Sequence, residues 1–139
     1  MNELRIETEP PCNGVQRVAV EGRLDAGSNA DLDHALEPLL DNEDVRSVVL
    51  DLGNLNYINT AGIRSLFRAR RMLAQHDCRV LLVNPQPQVK KVLDVVKAVP
   101  LSEVFTSVEE ADAYFDVMQR KLVAKVTNEA RSESTAVLR

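Results

Sequence analysis

Between residues 48 and 74 the hydropathy pattern changes its period, and this change restricts the fold more than any other feature. Val48-Val49-Leu50-Asp51-Leu52 is an apolar run of strand length. Tyr57-Ile58-Asn59-Thr60-Ala61-Gly62-Ile63 follows, and from Ile63 to Ala74 apolar residues recur at helical spacing. A buried strand therefore hands over to an amphipathic helix, which is the unit of a sheet covered by helices. Thr60 falls at the handover. The first N–H groups of a helix have no partner inside it, and the helix dipole leaves partial positive charge there. A phosphate on Thr60 would thus meet a favourable anion environment. The expectation is a hydroxyl in solvent at a helix start.

The remaining elements are read by the same periods. Leu4 to Thr8 alternates weakly, as an edge strand does, and Pro10-Pro11-Cys12-Asn13-Gly14 is a turn cluster. Val15 to Leu24 alternates well, with Val18, Val20 and Gly22 on one side, so the two segments form a hairpin. Ser28 is placed to cap a helix whose apolar positions are Leu32, Ala35, Leu36, Leu39 and Leu40. The central strand is expected over Arg46 to Leu52, the second helix from about Thr60 to His76, and the next buried strand over Arg79 to Val83. A third helix turns Val89, Val92, Leu93 and Val96 inward, and Phe105 marks a short last strand. Ser107-Val108-Glu109-Glu110 has the form of a capping box. It opens a final helix with Ala111, Tyr114, Phe115, Met118 and Leu122 at helical spacing. From Thr127 to Arg139 the chain is polar and loses its period, so a disordered tail is expected. The domain then spans 1–120, with 121–139 as the end of the last helix and the tail.

Composition limits the chemistry. Hydrophobic residues make up 45% of the 139 residues, with no Trp, so the core is aliphatic. The formal net charge of −4 argues against a general affinity for nucleic acid. Cys12 and Cys78 match no metal-ligand spacing. Met1-Asn2-Glu3-Leu4-Arg5 lacks the basic and apolar regions of a signal peptide. No apolar stretch approaches the roughly 18 to 20 residues that span a bilayer. A soluble cytoplasmic protein without membrane contact is expected. No phosphate-binding glycine loop, catalytic carboxylate pair or metal cluster is present in the sequence, so neither an enzyme nor a cofactor is expected.

Three roles for Thr60 compete on the residues alone. Asn59 or Thr60 serves as a plain helix cap. Thr60 acts as a nucleophile, which needs an adjacent base, although the only histidines, His34 and His76, fall on helices away from this loop. Or Thr60 accepts a phosphate that another protein reads, gaining nearly two charges at one point. Arg64, Arg68 and Arg71 form a basic stripe on the same helix, either a docking face for an acidic partner or an ordinary solvated face. Gly62 sits one turn into that helix. It either tightens the junction or lets a partner come close.

The ordered set of motifs resembles the STAS domain family, named for sulphate transporters and anti-sigma factor antagonists. Val49-Leu50-Asp51-Leu52 resembles the family's central strand, and Tyr57 to Ile63 its phosphorylation loop. Gly22-Arg23-Leu24-Asp25 is similar to its Gly-x-Leu-Asp turn, and Leu81-Leu82-Val83-Asn84-Pro85 to its fourth strand and following turn. Val92-Leu93 and Phe105 to Ala111 resemble its closing segments. The similarity covers roughly residues 4 to 118.

The resemblance implies an α/β STAS fold, a mixed four- to five-stranded sheet with about four helices packed mainly on one face. For the single-domain branch it implies an anti-sigma factor antagonist that works by partner switching, as a monomer or weak dimer. The unmodified form would bind an anti-sigma factor that is also a kinase of the histidine-kinase-like ATPase fold. Phosphorylation of Thr60 would release it, and a PP2C-like phosphatase would restore the hydroxyl. Asp25, Asn59, Thr60, Ala61, Gly62 and Arg64 would meet the partner. The resemblance places the Asp25 turn at the same end of the sheet as the phosphorylation loop, where Asp25 either recognises a partner or merely forms an Asx turn. Asn59 stands where the family usually has Asp, and Ala61 where Ser is frequent, which leaves Thr60 as the sole acceptor of its loop. The rival within the family is an accessory subunit of a lipid-transport ATP-binding-cassette system.

Overall fold

The computed structural model describes residues 4–137, and the chain divides into two compact units, Met1–Gln86 and Pro87–Arg139. The first unit holds β1 (Leu4–Thr8), β2 (Val15–Leu24), α1 (Asn29–Leu36), a 3-10 turn (Glu37–Asp41), β3 (Ser47–Ile58), α2 (Thr60–Ala74) and β4 (Arg79–Val83). The strands form one mixed sheet in the order β1-β2-β3-β4. β1 and β2 are antiparallel, while β2–β3 and β3–β4 are parallel.

The hairpin turns on Asn13 and Gly14, both with positive φ (52° and 80°), between the bridged residues Cys12 and Val15. That is the mirror-image turn whose twist suits a β-hairpin, and Asn-Gly is its preferred pair. Along β2 burial alternates as the sequence predicts, with Val18, Val20 and Leu24 inside. α1 stops at Leu36 and continues as a 3-10 turn. Pro38 explains this, since it has no N–H to donate and its ring crowds the preceding turn.

β3 runs on from the expected end at Leu52 as far as Ile58. Gly53, Asn54 and Asn56 read as turn formers, and Leu52, Leu55 and Ile58 repeat every three residues instead of every two. The pairing shows how this becomes strand. β3 advances three residues from Asp51 to Asn54 while β2 advances two from Ala19 to Glu21, and then two from Leu55 to Tyr57 while β2 advances one from Gly22 to Arg23. Each irregularity absorbs one extra β3 residue, as a bulge does, so Leu52, Leu55 and Ile58 are all buried. The overhang carries the chain past the end of β4, whose last residue Val83 pairs with Asp51. β4 is expected to be buried, but none of its residues is: it lies at the edge of the sheet, and Leu81 is exposed. α1 packs on β1 and α2, and α2 on β3 and β4, with Leu32, Leu36, Ile63, Leu66, Ala69 and Leu73 buried. Each large aliphatic side chain fully buried in this way contributes about 1.5–3 kcal/mol.

The second unit holds α3 (Pro87–Ala98), α4 (Leu101–Val104) and α5 (Val108–Val137). α3 packs on α5, and Val89, Val92, Leu93, Ala111 and Phe115 are buried. Phe105 is not in a strand. It ends α4 in extended conformation and its ring lies 5.5 Å from that of Tyr114 and 5.8 Å from that of Phe115. Tyr114 is exposed. The capping box forms in modified shape: Ser107 Oγ accepts the Glu110 N–H at 3.1 Å, and the Glu110 carboxylate accepts the Thr106 N–H at 3.3 Å. α5 continues to Val137, through most of the segment expected as a disordered tail, and 138–139 lie outside the described residues. Among the described residues the sheet has four strands, within the expected four to five, and there are five α-helices. The expected boundary at residue 120 falls within α5.

Candidate functional site

Two turns leave the sheet side by side. Arg23 pairs with Tyr57 and Leu24 with Ile58 in the parallel β2–β3 ladder. Asp25 and Asn59 are the next residues of each chain segment, so the two turns begin one strand spacing apart, about 5 Å. Their connection is direct: the Asn59 N–H donates to the Leu24 carbonyl at 3.2 Å.

Asn59 caps α2. Its backbone is extended (φ −124°, ψ −170°), and its side-chain oxygen accepts from the Ala61 N–H at 3.1 Å and the Gly62 N–H at 3.3 Å. Two of the orphan donors of the helix are thereby satisfied. Of the competing readings, the cap belongs to Asn59, and Thr60 is the first residue of the helix. Thr60 is not in solvent, as expected from sequence, but only 4% exposed. Its neighbours Tyr57, Asn59 and Ala61 are half-buried.

Gly62 has a packing reason within the fold. A Cβ at this position would lie 2.4 Å from the Leu24 carbonyl oxygen, 2.8 Å from Leu24 Cγ and 2.9 Å from Ile58 Cγ1. The first turn of α2 therefore sits directly on the end of β2, and only a residue without a side chain permits it. Gly62 is buried, and its reason is internal packing.

The Asp25 turn is held by its own polar groups. Asp25 Oδ1 accepts the Gly27 N–H at 3.0 Å, forming the Asx turn. Ser28 Oγ accepts the Asp25 N–H at 3.0 Å and donates to the Arg23 carbonyl at 2.7 Å. Ser28 occupies the cap position of α1 but gives no side-chain bond to that helix, contrary to expectation, because its hydroxyl is spent on the turn behind it. Arg23 completes the group. Its guanidinium stands 3.9 Å from the centre of the Tyr57 ring and 3.7 Å from Asp25 Oδ2. Neither Arg23 nor Ser28 emerged from the sequence as a part of this corner. The signal was the parallel register, which sets Arg23 beside Tyr57 and is not visible in one strand alone.

The basic stripe divides. Arg64 and Arg71 are exposed, while Arg68 forms an ion pair with Asp33 of α1 and so ties two helices together. Cys78 is buried, and desolvation raises its thiol pKa, whereas Cys12 is exposed. Among the described residues no group of three or more His, Cys, Asp or Glu is arranged to hold a metal ion, and no helix is long and apolar enough to cross a membrane.

Comparison with known proteins identifies the architecture. The STAS domain family model matches residues 10–111. The chain belongs to the STAS domain family. BtrV of Bordetella bronchiseptica, a candidate anti-sigma factor antagonist, is 29% identical over 103 residues, covering 74% of this chain and 88% of BtrV. The solved structure of the anti-sigma factor antagonist SpoIIAA in its unphosphorylated form superposes with a TM-score of 0.59 at 18% identity, covering 67% of this chain and 81% of that one. The Bacillus cell fate determinant SpoIIAA in its phosphorylated form gives 0.55 at 17% identity, over 66% and 83%. At these identities the structures establish the STAS fold.

Proposed function

We propose that this protein is an anti-sigma factor antagonist, a regulatory binding protein and not an enzyme, acting in the cytoplasm by partner switching. One observation carries the reading. Thr60 is the sole aliphatic hydroxyl of the strand-to-helix loop and opens α2 beside the Asp25 turn, in a chain of the family that includes BtrV and SpoIIAA. The STAS domain spans 1–120 in this reading. The unmodified protein binds an anti-sigma factor kinase of the histidine-kinase-like ATPase fold through Asp25, Asn59, Ala61 and Arg64, with Thr60 and Gly62 buried beneath them.

The switch is a phosphoryl transfer. The Thr60 oxygen forms a bond to the γ-phosphorus of ATP held by the kinase, the bond to the β-phosphate oxygen breaks, ADP leaves and the hydroxyl proton passes to a base of the kinase. The product carries nearly two negative charges. Within the domain the helix start tolerates them. Across a close-fitting interface the same charge loses its water, and about 1.4 kcal/mol suffices for each tenfold loss of affinity. A PP2C-like phosphatase returns the hydroxyl.

Calorimetry with the cognate kinase tests this. Thr60→Ala is expected to bind and to stay bound in the presence of ATP, while the protein phosphorylated at Thr60 is expected to bind at least about tenfold more weakly. Equal affinity of the phosphorylated and unmodified forms would remove Thr60 from the mechanism.

A further inference from the structure

We infer that Asn59 and Gly62 hold Thr60 in a closed position, and that the kinase acts on a minor state in which the first turn of α2 has opened. The inference rests on the reading of Thr60 as phosphoacceptor and adds how its modification is controlled. In-line attack requires the reacting atoms about 3–3.5 Å apart and aligned. A residue 4% exposed offers no such approach to a nucleotide held by another protein.

The closed position is fastened locally. The Asn59 side chain holds the Ala61 and Gly62 N–H groups, the Asn59 N–H holds the Leu24 carbonyl, and Gly62 seats α2 on Leu24 without a Cβ. The Asn59 side-chain bonds close the turn on itself, and the other two fastenings join it to the end of β2. Their release frees the turn and leaves the ladder of β2 and β3 intact, which is the form of a local opening rather than of unfolding. Asn59 and Gly62 are therefore positioning residues, and they set how often the hydroxyl is offered.

The chain carries its own references for a test. Cys12 is exposed, and Cys78 is buried, with its thiol pKa raised by desolvation. The variant Thr60→Cys is treated with iodoacetamide, and mass spectrometry follows the three thiols in one molecule. Cys12 is expected to react first, the introduced thiol at least about tenfold more slowly, and Cys78 last. Adding Asn59→Ala is expected to speed the introduced thiol by about 2- to 30-fold, the range of a lost helix cap, with Cys12 and Cys78 unchanged. Gly62→Ala is expected to speed it as well. Reaction of the introduced thiol as fast as Cys12, or at the rate of Cys78 in every background, overturns the inference. Should the variants fold poorly, hydrogen exchange of the Ala61 and Gly62 amides in the natural sequence decides: exchange faster than that of the Leu50 amide supports the local opening, and exchange at the same rate overturns it.

A second arm separates this inference from the functional reading. With the cognate kinase and ATP, Asn59→Ala and Gly62→Ala are expected to raise the phosphorylation rate of Thr60 in proportion to their labelling rates. Phosphorylation that ignores both changes defeats the gating and leaves the phosphoacceptor intact. No phosphate on Thr60 in any form, with labelling in the expected order, defeats the phosphoacceptor reading and with it the control assigned to the turn, leaving only the closed geometry.

Discussion

The turn that follows β2 and the turn that follows β3 start from paired residues, Leu24 and Ile58, yet they are fastened by opposite means. Asp25 to Ser28 is self-contained. Its carboxylate and hydroxyl close the turn on its own backbone and on the Arg23 carbonyl. Asn59 to Gly62 has a cap of its own, but it also leans on its neighbour, through the Leu24 carbonyl and the missing Cβ of Gly62. The first turn is a fixed feature of the surface. The second is a contact between two elements, and a contact can be opened. That difference suits a constant recognition feature beside a residue that changes its charge.

The comparison breaks most severely at Gly62. Gly62→Val places atoms within 2.4 Å of a backbone oxygen that has no rotamer to escape through. Overpacking of this kind costs about 3 kcal/mol, and more where the backbone itself must move. Urea unfolding is expected to show the loss as a lower midpoint with an unchanged slope. A loss below about 0.5 kcal/mol, the range of an ordinary surface change, would mean that the second turn does not rest on the first strand.

The sequence displayed this asymmetry only in part. Helix α2 and the hairpin were legible because each follows a single period with clear stops, such as Asn13-Gly14; β4 was legible as a short apolar run closed by Asn84-Pro85, but its edge position and exposure were not. The Asn59-Thr60 junction was legible for the same reason, as the point where the period changes. The length of β3 was not, because two bulges give Leu52, Leu55 and Ile58 a spacing of three that belongs to neither strand nor helix. The burial of Thr60 was hidden as well. A helix start reads as polar and open from local sequence, and only the close seat of Gly62 on Leu24 shows how tightly the turn is drawn in. Ser28 misled in the other direction: serine before a helix is a cap signal, but here a nearer backbone claims the hydroxyl.

Ser28 and Asn59 are each the polar clasp of their turn. Ser28 is almost fully buried, and Ser28→Ala removes its hydrogen bonds to the Arg23 carbonyl and the Asp25 N–H. A loss of about 1–2 kcal/mol is expected by urea unfolding. Asn59→Ala is expected to cost about 1 kcal/mol, the ordinary value of a helix cap. Asn59→Asp keeps the acceptor and adds a charge that the dipole favours, so it is expected to be neutral or to gain up to about 0.5 kcal/mol at low salt. An Asn59→Ala penalty well above that for Ser28→Ala would reverse the assignment of the rigid and the openable turn.

The smallest effect belongs to Arg23, which bridges the two. Its guanidinium rests on Tyr57 of one strand and pairs at 3.7 Å with Asp25 of the other turn. The side chain is 45% exposed and the ion pair is loose, so solvent and salt screen both interactions. Arg23→Gln is expected to cost about 0.5 kcal/mol in stability, mostly through the lost stacking. Added salt removes only the ionic share. If the difference between Arg23→Gln and the natural sequence persists at 1 M salt, where the Debye length is about 3 Å, stacking on Tyr57 joins the turns. If it vanishes, Arg23 serves the Asp25 turn alone, and the coupling of the two turns rests on the contacts at Leu24 and not on Arg23.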